Sequence, residues 1–332
     1  MINKKFHVLT SLMGAAMLIS ACTATPTVTR TPALTATLVN TSTPTKTRTP
    51  SLTATLTNTS TSTETATPGM TSTPTLVMTP TPTLGIGSTI LRQEDSMLMM
   101  YVPEGEFLMG SDDPAKNKYR NDDVPQHSVY LDAYWIDQTE VTNGMYALCV
   151  SAGECAPPQN YASYRVLSYY GDSKYADYPV VHVDWNQAKA YCAWAGADLP
   201  TEAQWEKAAR GPDGRLFPWG NNSPTCDLAN IFGCVGDSTA VKSYESGKSL
   251  YGVYDMAGNV QDWVNDWYDY DYYSSSPERN PQGADSGEYR VLRGGVWYNQ
   301  GDGIRSAVRY FNDPPSFSYD LSFRCARSAA SP

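Results

Sequence analysis

The chain has 332 residues, of which 24 are basic and 34 acidic, so its net charge is −10. Residues 89–332 contain 19 basic and 33 acidic residues, which excludes nucleic acid as an expected partner because phosphate binding requires a basic face. The length allows two domains, but the first 88 residues lack the apolar content of a folded one.

The first 22 residues have the pattern of an export signal. Lys4 and Lys5 precede an apolar run, residues 8–19, that is too short to span a membrane. Residues 19–22, ISAC, resemble the bacterial lipobox, in which the cysteine is acylated and becomes the mature N-terminus. We therefore predict a lipoprotein signal peptide that anchors the chain to a membrane through lipid on Cys22. The alternative is an ordinary signal peptide in which this cysteine is incidental.

Residues 23–88 consist almost entirely of Thr, Pro, Ser, Ala and Leu. Such a segment has too little apolar mass to offset the entropy of ordering, so it predicts a disordered linker. Extended at about 3.1 Å per residue it would reach roughly 200 Å, which would hold the folded part away from the membrane. The folded domain is therefore expected at residues 89–332.

The sequence of this domain predicts an α+β fold with few helices. Residues 97–109 alternate around a turn as a hairpin does, and residues 129–135 predict a further strand. Thr139 marks the start of one helix, and Asp184 is placed to cap a second helix over residues 185–195. Thr201 and Gln204 form a capping box for a third helix that ends at residue 210. Beyond it, loops and short strands predominate.

Six cysteines remain after Cys22, and an even number in an exported chain indicates three disulfides. Fifteen pairings are possible. Two short loops favour the local bridges Cys149–Cys155 and Cys226–Cys234, which leaves Cys192 to pair with Cys325. A zinc site is not expected, because no CxxC pair exists and the mature chain has only two histidines.

Seven motifs in order carry a resemblance to a known family. They are VPEGEFLMGS, HSVYLDAYWIDQTEVTNGMY, YPVVHVDWNQAKAYCAWAGADLPTEAQWEKAARG, LFPWGN, YGVYDMAGNVQDWVNDWY, RVLRGG and SFRCA. This order resembles the formylglycine-generating enzyme (sulfatase-modifying factor) family over residues 96–328. The resemblance implies an irregular variant of the C-type-lectin fold, and it also implies that Cys192 and Cys325 form a structural disulfide.

The resemblance also bears on catalysis. Oxidases of the family convert a sulfatase cysteine to formylglycine with copper(I) held by two loop cysteines, since a soft metal prefers thiolates. Their positions correspond to Asn299 and, less closely, Ile304. No cysteine lies between Cys234 and Cys325. We therefore predict no copper and no formylglycine formation, and we assign no catalytic residue.

The calcium sites of the family correspond to two sets of residues. The first set lies in DMAGNVQD, where carboxylates alternate with carbonyls as a hard cation requires. It comprises Asp255, Met256, Gly258, Val260 and Asp262, the last in place of the family's usual Glu. The second set comprises Asn230, Ile231 and Asp237. The resemblance thus implies structural calcium, against the alternative that these carboxylates only cap turns.

The segment 297–322 alternates family framework with residue types common in binding surfaces. The predicted ligand-binding residues are Trp297, Tyr298, Asn299, Asp302, Tyr310 and Phe311. In some proteins of this fold the corresponding segment is diversified by retroelements. Arg305 and Arg309 are expected to anchor the segment rather than to bind ligand.

Together these features predict a surface-anchored lipoprotein whose domain lacks the copper cysteines and binds an extracellular protein or glycan. The alternative is an enzyme of the same superfamily, either a formylglycine-generating oxidase or a related oxidoreductase, acting on an exported protein or a small molecule.

Overall fold

The computed structural model describes residues 84–112 and 121–329. The predicted signal peptide with Cys22 and most of the predicted linker lie outside these residues. Ten strands occupy the described part of the chain: β1 Thr89–Leu91, β2 Leu98–Val102, β3 Gly105–Met109, β4 His127–Leu131, β5 Tyr134–Asp137, β6 Gln261–Trp267, β7 Arg290–Arg293, β8 Tyr310–Asn312, β9 Leu321–Phe323 and β10 Ala326–Ser328. The helices are α1 Asn143–Ala152, α2 Trp185–Trp194 and α3 Glu202–Arg210, with short 3-10 turns between other elements.

The strands form three small sheets. The first has the order β1-β2-β5-β10, the second pairs β3 with β4, and the third has the order β8-β7-β6-β9. All pairings are antiparallel except that of β6 with β9. This confirms the predicted α+β class with little regular secondary structure. No helix in the described residues is long and apolar enough to cross a membrane.

The N-terminal strand predictions need correction. Residues 97–109 do not form a hairpin, because β2 pairs with β1 and β5 whereas β3 pairs with β4. The predicted strand at residues 129–135 is divided, since β4 ends at Leu131 and β5 begins at Tyr134. Alternation specifies which face of a strand is buried, but it does not specify the partner strand.

The helix predictions are largely confirmed by their caps. Asp184 accepts a hydrogen bond from the backbone of Gln187, and Thr201 accepts one from the backbone of Gln204. Both pairs are complete capping boxes. The first helix begins later than expected, because its cap is Thr142 and not Thr139.

The three disulfides join the predicted pairs, Cys149–Cys155, Cys192–Cys325 and Cys226–Cys234. The first two lie in a core cluster that includes Tyr146, Tyr191 and Phe323. A second cluster packs α3 against the sheets through residues such as Trp205, Phe107 and Val264. Covalent links therefore supplement the packing of a chain that has few regular elements.

Buried ion pairs attach the loops to α3. Arg293 Nη2 lies 2.5 Å from Glu206 Oε2, and Arg309 Nε lies 2.8 Å from Glu202 Oε1. Burial alone would raise the pKa of Glu206, but Arg293 and Arg210 outweigh it and leave that pKa below its ordinary value. Removing one partner of such a pair leaves an uncompensated buried charge, so these contacts hold the loops in one position.

Candidate functional site

The loop after β7, residues 293–305, is anchored at both ends by its arginines. Arg293 donates to the carbonyls of Ser306, Ala307 and Val308. Arg305 is 3% exposed and lies 3.6 Å from Asp123. These two arginines stabilise the backbone and are buried away from solvent. Arg309 pairs with Glu202 and donates to the carbonyls of Asp122 and Asp269, so both Arg305 and Arg309 anchor the segment as predicted.

Asn299, which corresponds to the first copper cysteine, turns its side chain toward its own loop. Its Oδ1 accepts a hydrogen bond from Val296 N at 2.9 Å, and its carbonyl accepts one from Phe232 N at 3.0 Å. Ile304, which the resemblance aligns less closely with the second copper cysteine, is fully buried in an apolar cluster. Since all six cysteines of the described residues are in disulfides, this loop has no thiolate to offer a soft metal.

Beside this loop lies a cleft of about 510 Å³, within the size range of small-ligand sites. Its walls come from four separate parts of the chain: the turn at residues 163–166, the segment around the Cys226–Cys234 disulfide, the loop after β7, and Tyr319 just before β9. It is lined by Tyr164, Arg165, Phe232, Gly233, Cys234, Val235, Gly236, Trp297, Tyr298 and Tyr319. Most of these residues are aromatic or small, and one of them is charged.

Four aromatic rings form one contiguous surface in the cleft. The ring of Trp297 lies 5.1 Å from that of Tyr164 and 4.9 Å from that of Tyr298, and Tyr319 lies 5.2 Å from Tyr164. The hydroxyl of Tyr298 donates to the buried carboxylate of Asp320, and burial together with this contact raises the pKa of Tyr298. Trp297 Nε1 is buried and has no hydrogen-bond partner among the described residues.

The predicted ligand-binding residues separate into two groups. Trp297 and Tyr298 line the cleft, whereas Asn299 and Asp302 do not. Tyr310 donates its hydroxyl to Gly303 O at 2.9 Å, outside the cleft lining. Phe311 packs on another surface, where its ring is 4.1 Å from Tyr268 and 5.0 Å from Tyr289.

Sequence reasoning missed Tyr164 and Phe232, and it placed Tyr319 in the segment 297–322 without naming it as a ligand-binding residue. No local pattern distinguishes Tyr164 among the 23 tyrosines of the chain. The side chain of Phe232 is 63% exposed, and nothing in the neighbouring sequence indicates this exposure. These residues join the site only because distant loops meet there.

The first predicted calcium set surrounds a tight turn. Asp255 and Asn259 have positive φ, as does Gly258. Glu140 lies beside the carboxylates of Asp255 and Asp262. Its burial, and after it the negative charge of Asp255, raises the pKa of Glu140 well above its ordinary value. Asp262 Oδ2 accepts from Arg324 Nε at 2.6 Å, while its Oδ1 is buried without a partner. A hard cation prefers such an oxygen, but Arg324 already pairs with Asp262 and Glu140, and no three His, Cys, Asp or Glu side chains in the described residues are arranged to hold a metal ion.

The second predicted set fits a cation less well. Asp237 Oδ2 accepts from Ser163 Oγ at 2.6 Å and from Arg165 N at 2.9 Å, and its Oδ1 accepts from Ser238 N at 2.8 Å. Asn230 Oδ1 is buried and lacks a partner. The described residues contain no group of three or more His, Cys, Asp and Glu side chains arranged to hold a metal ion. In the structure Asp237 holds the turn that carries Tyr164 and Arg165.

Known proteins resemble this chain over most of its folded part. A formylglycine-generating enzyme of Streptomyces coelicolor is 35% identical over 281 residues, covering 69% of this chain and 88% of that protein. A serine/threonine-protein kinase Pkn1 of Chlamydia trachomatis is 38% identical over 246 residues, but this chain spans only 38% of its length. An inactive C-alpha-formylglycine-generating enzyme 2 of Bos taurus is 40% identical over 174 residues, covering 47% of this chain and 52% of that protein.

Solved structures agree with the fold. PvdO from Pseudomonas aeruginosa has a TM-score of 0.62 and 26% identity, covering 74% of this chain and all of that one. Treponema denticola variable protein 1 has a TM-score of 0.58 and 24% identity, covering 72% of this chain and 98% of that one. The family model described as a sulfatase-modifying factor enzyme 1-like domain matches residues 89–329. The chain therefore belongs to the formylglycine-generating enzyme (sulfatase-modifying factor) family.

Proposed function

We propose that this protein is an exported lipoprotein that presents its domain outside the cytoplasm and binds a partner in the aromatic cleft. Lipid on Cys22 anchors the chain, and residues 23–88 act as a spacer for the domain at residues 89–332. The observation that carries the proposal is the loop after β7. It offers the aromatic surface of Trp297 and Tyr298 where oxidases of the family hold copper.

Binding is favoured over formylglycine formation because the chemistry of the oxidase needs two thiolates at this loop. Asn299 and Ile304 supply none, and the loop is stabilised by the contact between Asn299 and Val296. Moving a cysteine from a disulfide into the loop would break a covalent link of the fold. The exposed side chains of Tyr164, Phe232 and Tyr298 give the cleft a wide apolar rim, a feature of interaction sites.

Calcium, in this proposal, is structural. Asp255 and Asp262, together with the carbonyls of Met256, Gly258 and Val260, would hold one ion and bind the tight turn to β6. The second set, at Asn230, Ile231 and Asp237, would need Asp237 to exchange its present hydrogen bonds for metal coordination.

The catalytic part is tested by incubating the full chain carrying Cys22→Ser with Cu(I), oxygen and a cysteine peptide of the sulfatase motif. Mass spectrometry then reports the mass loss that marks formylglycine. We expect no product, while a family member that retains both loop cysteines should give one in parallel. Copper-dependent product from this chain would refute the proposal.

The anchoring part is tested separately in cells. Labelled fatty acid should be incorporated into the wild-type protein and lost in Cys22→Ala. Incorporation into the variant, or none into the wild type, would contradict the proposed lipid anchor.

A further inference from the structure

We propose that Arg165 makes the cleft selective for an extended peptide segment in which a carboxylate lies beside an apolar side chain. This inference rests on the proposed binding function and assigns a ligand class to the same site. It commits to a peptide rather than to a glycan.

Charge is the first reason. Arg165 is the one charged side chain in the lining of the cleft, although residues 89–332 carry a net charge of −14. Within the described residues no carboxylate lies within 4 Å of its guanidinium, which donates to Val235 O at 3.2 Å. By contrast, Arg293, Arg309 and Arg324 are all paired with carboxylates. An exposed guanidinium that keeps donors available matches a carboxylate ligand by charge and geometry.

Preorganisation is the second reason. The backbone N–H of Arg165 donates to Asp237, as does the hydroxyl of Ser163. Ser163 also closes the turn by donating its N–H to the carbonyl of Val166 at 2.7 Å. A buried carboxylate thus fixes the turn, and the contact with Val235 directs the guanidinium toward the disulfide segment. A side chain held in this way loses less entropy on binding.

The composition of the cleft favours a peptide over a glycan. Trp, Tyr and Arg are the residue types that dominate binding energy at protein interfaces, and here they are Trp297, Tyr164, Tyr319 and Arg165. A sugar would need many polar partners for its hydroxyl groups, whereas the lining is mostly apolar and the Tyr298 hydroxyl already donates to a protein carboxylate. An apolar peptide side chain would cover the aromatic surface of the cleft.

The ligand class is tested by selecting random heptapeptides displayed on phage against the full chain carrying Cys22→Ser. Counter-selection uses Tyr164→Ala, because Tyr164 is 55% exposed and its truncation is expected to leave the fold intact. Peptides that depend on Tyr164 should be enriched in Asp or Glu next to an aromatic or aliphatic residue. A uronic-acid oligosaccharide is tested on the same two proteins.

Variants then test the role of Arg165. Arg165→Gln should lower the affinity of the domain for the selected peptides by roughly tenfold at low salt, with a smaller loss of affinity at high salt. Arg165→Glu should shift the selection toward Lys and Arg. The matched control is Arg327→Gln on the exposed side of β10, which should leave binding unchanged. Unaltered melting temperatures would show that all three variants are folded.

The outcomes separate this inference from the proposed function. Neutral or basic peptides that depend on Tyr164, or acidic peptides whose binding survives Arg165→Gln, would overturn the inference and leave cleft binding in place. Oligosaccharide binding without peptide binding would overturn the peptide class only. If neither probe shows binding that depends on Tyr164, both the inference and the proposed function are refuted.

Discussion

The Cys192–Cys325 disulfide is expected to contribute more stability than a local bridge. It closes a segment of 133 residues, whereas Cys149–Cys155 spans 6. A cross-link removes entropy from the unfolded chain in proportion to the logarithm of loop length. At 25 °C this gives about 5 kcal/mol for the long loop and about 2 kcal/mol for the short one.

The perturbation is the replacement of both cysteines of a bridge by alanine. Cys192, Cys325 and Cys149 are 0% exposed and Cys155 is 8% exposed, so both double variants also create buried cavities. For a domain of this size, about 2–4 °C of melting temperature corresponds to 1 kcal/mol. We expect losses of roughly 10–20 °C for the long bridge and roughly 4–8 °C for the short one.

Differential scanning calorimetry measures both variants, with urea unfolding to check that each unfolds in one transition. Near-ultraviolet circular dichroism reports whether the native packing persists at 20 °C. Equal losses in the two variants, or a larger loss without Cys149–Cys155, would refute the argument that loop length determines the difference.

Three further predictions concern other parts of the domain. Burial, and after it the negative charge of Glu202, raises the pKa of Asp266 from 3.8 to about 8. Between these two pH values the folded state binds more protons than the unfolded state, so stability should fall as the pH rises through that window. Asp266→Asn should reduce this slope in urea midpoints measured from pH 5 to pH 8.5, and an unchanged slope would contradict the assignment. Calcium at 100 times its dissociation constant should stabilise the domain by about 2.7 kcal/mol, and Asp255→Asn should abolish most of the increase; a melting temperature insensitive to chelation counts against the site. Asn299→Ala should lower the free energy of unfolding by about 1 kcal/mol, because the N–H of Val296 loses its acceptor. Asn299→Asp keeps an acceptor oxygen and should leave the free energy of unfolding unchanged. Equal losses in the two variants would exclude this contact as the cause.

Local signals in the sequence were sufficient for several elements. The capping boxes of Asp184 and Thr201 depend on side chains three residues apart, so α2 and α3 could be predicted within one residue. The cysteine spacings favoured the bridges that the structure contains. Strand pairing was less accessible, because alternation in residues 97–109 contains no information on which strand lies alongside.

The candidate site was only partly predictable for the same reason. Trp297 and Tyr298 are adjacent in the sequence, but Tyr164 and Phe232 reach the cleft from segments 60 or more residues away in the chain. Asp237 resembled a calcium ligand, whereas in the structure its oxygens accept hydrogen bonds from Ser163 and Arg165. A carboxylate in a loop fits either role until the neighbouring loops are in place.

Residue identity and order were enough to indicate the family and the lack of thiolates at the loop after β7, and the cysteine spacings favoured one set of disulfide pairs among fifteen. Tertiary structure alone decided which aromatic rings share a surface, that Asn299 binds its own loop, and that Arg165 is left without a carboxylate partner among the described residues. These properties depend on contacts between residues distant in sequence, and such contacts form only when the disulfides and buried ion pairs bring the loops together.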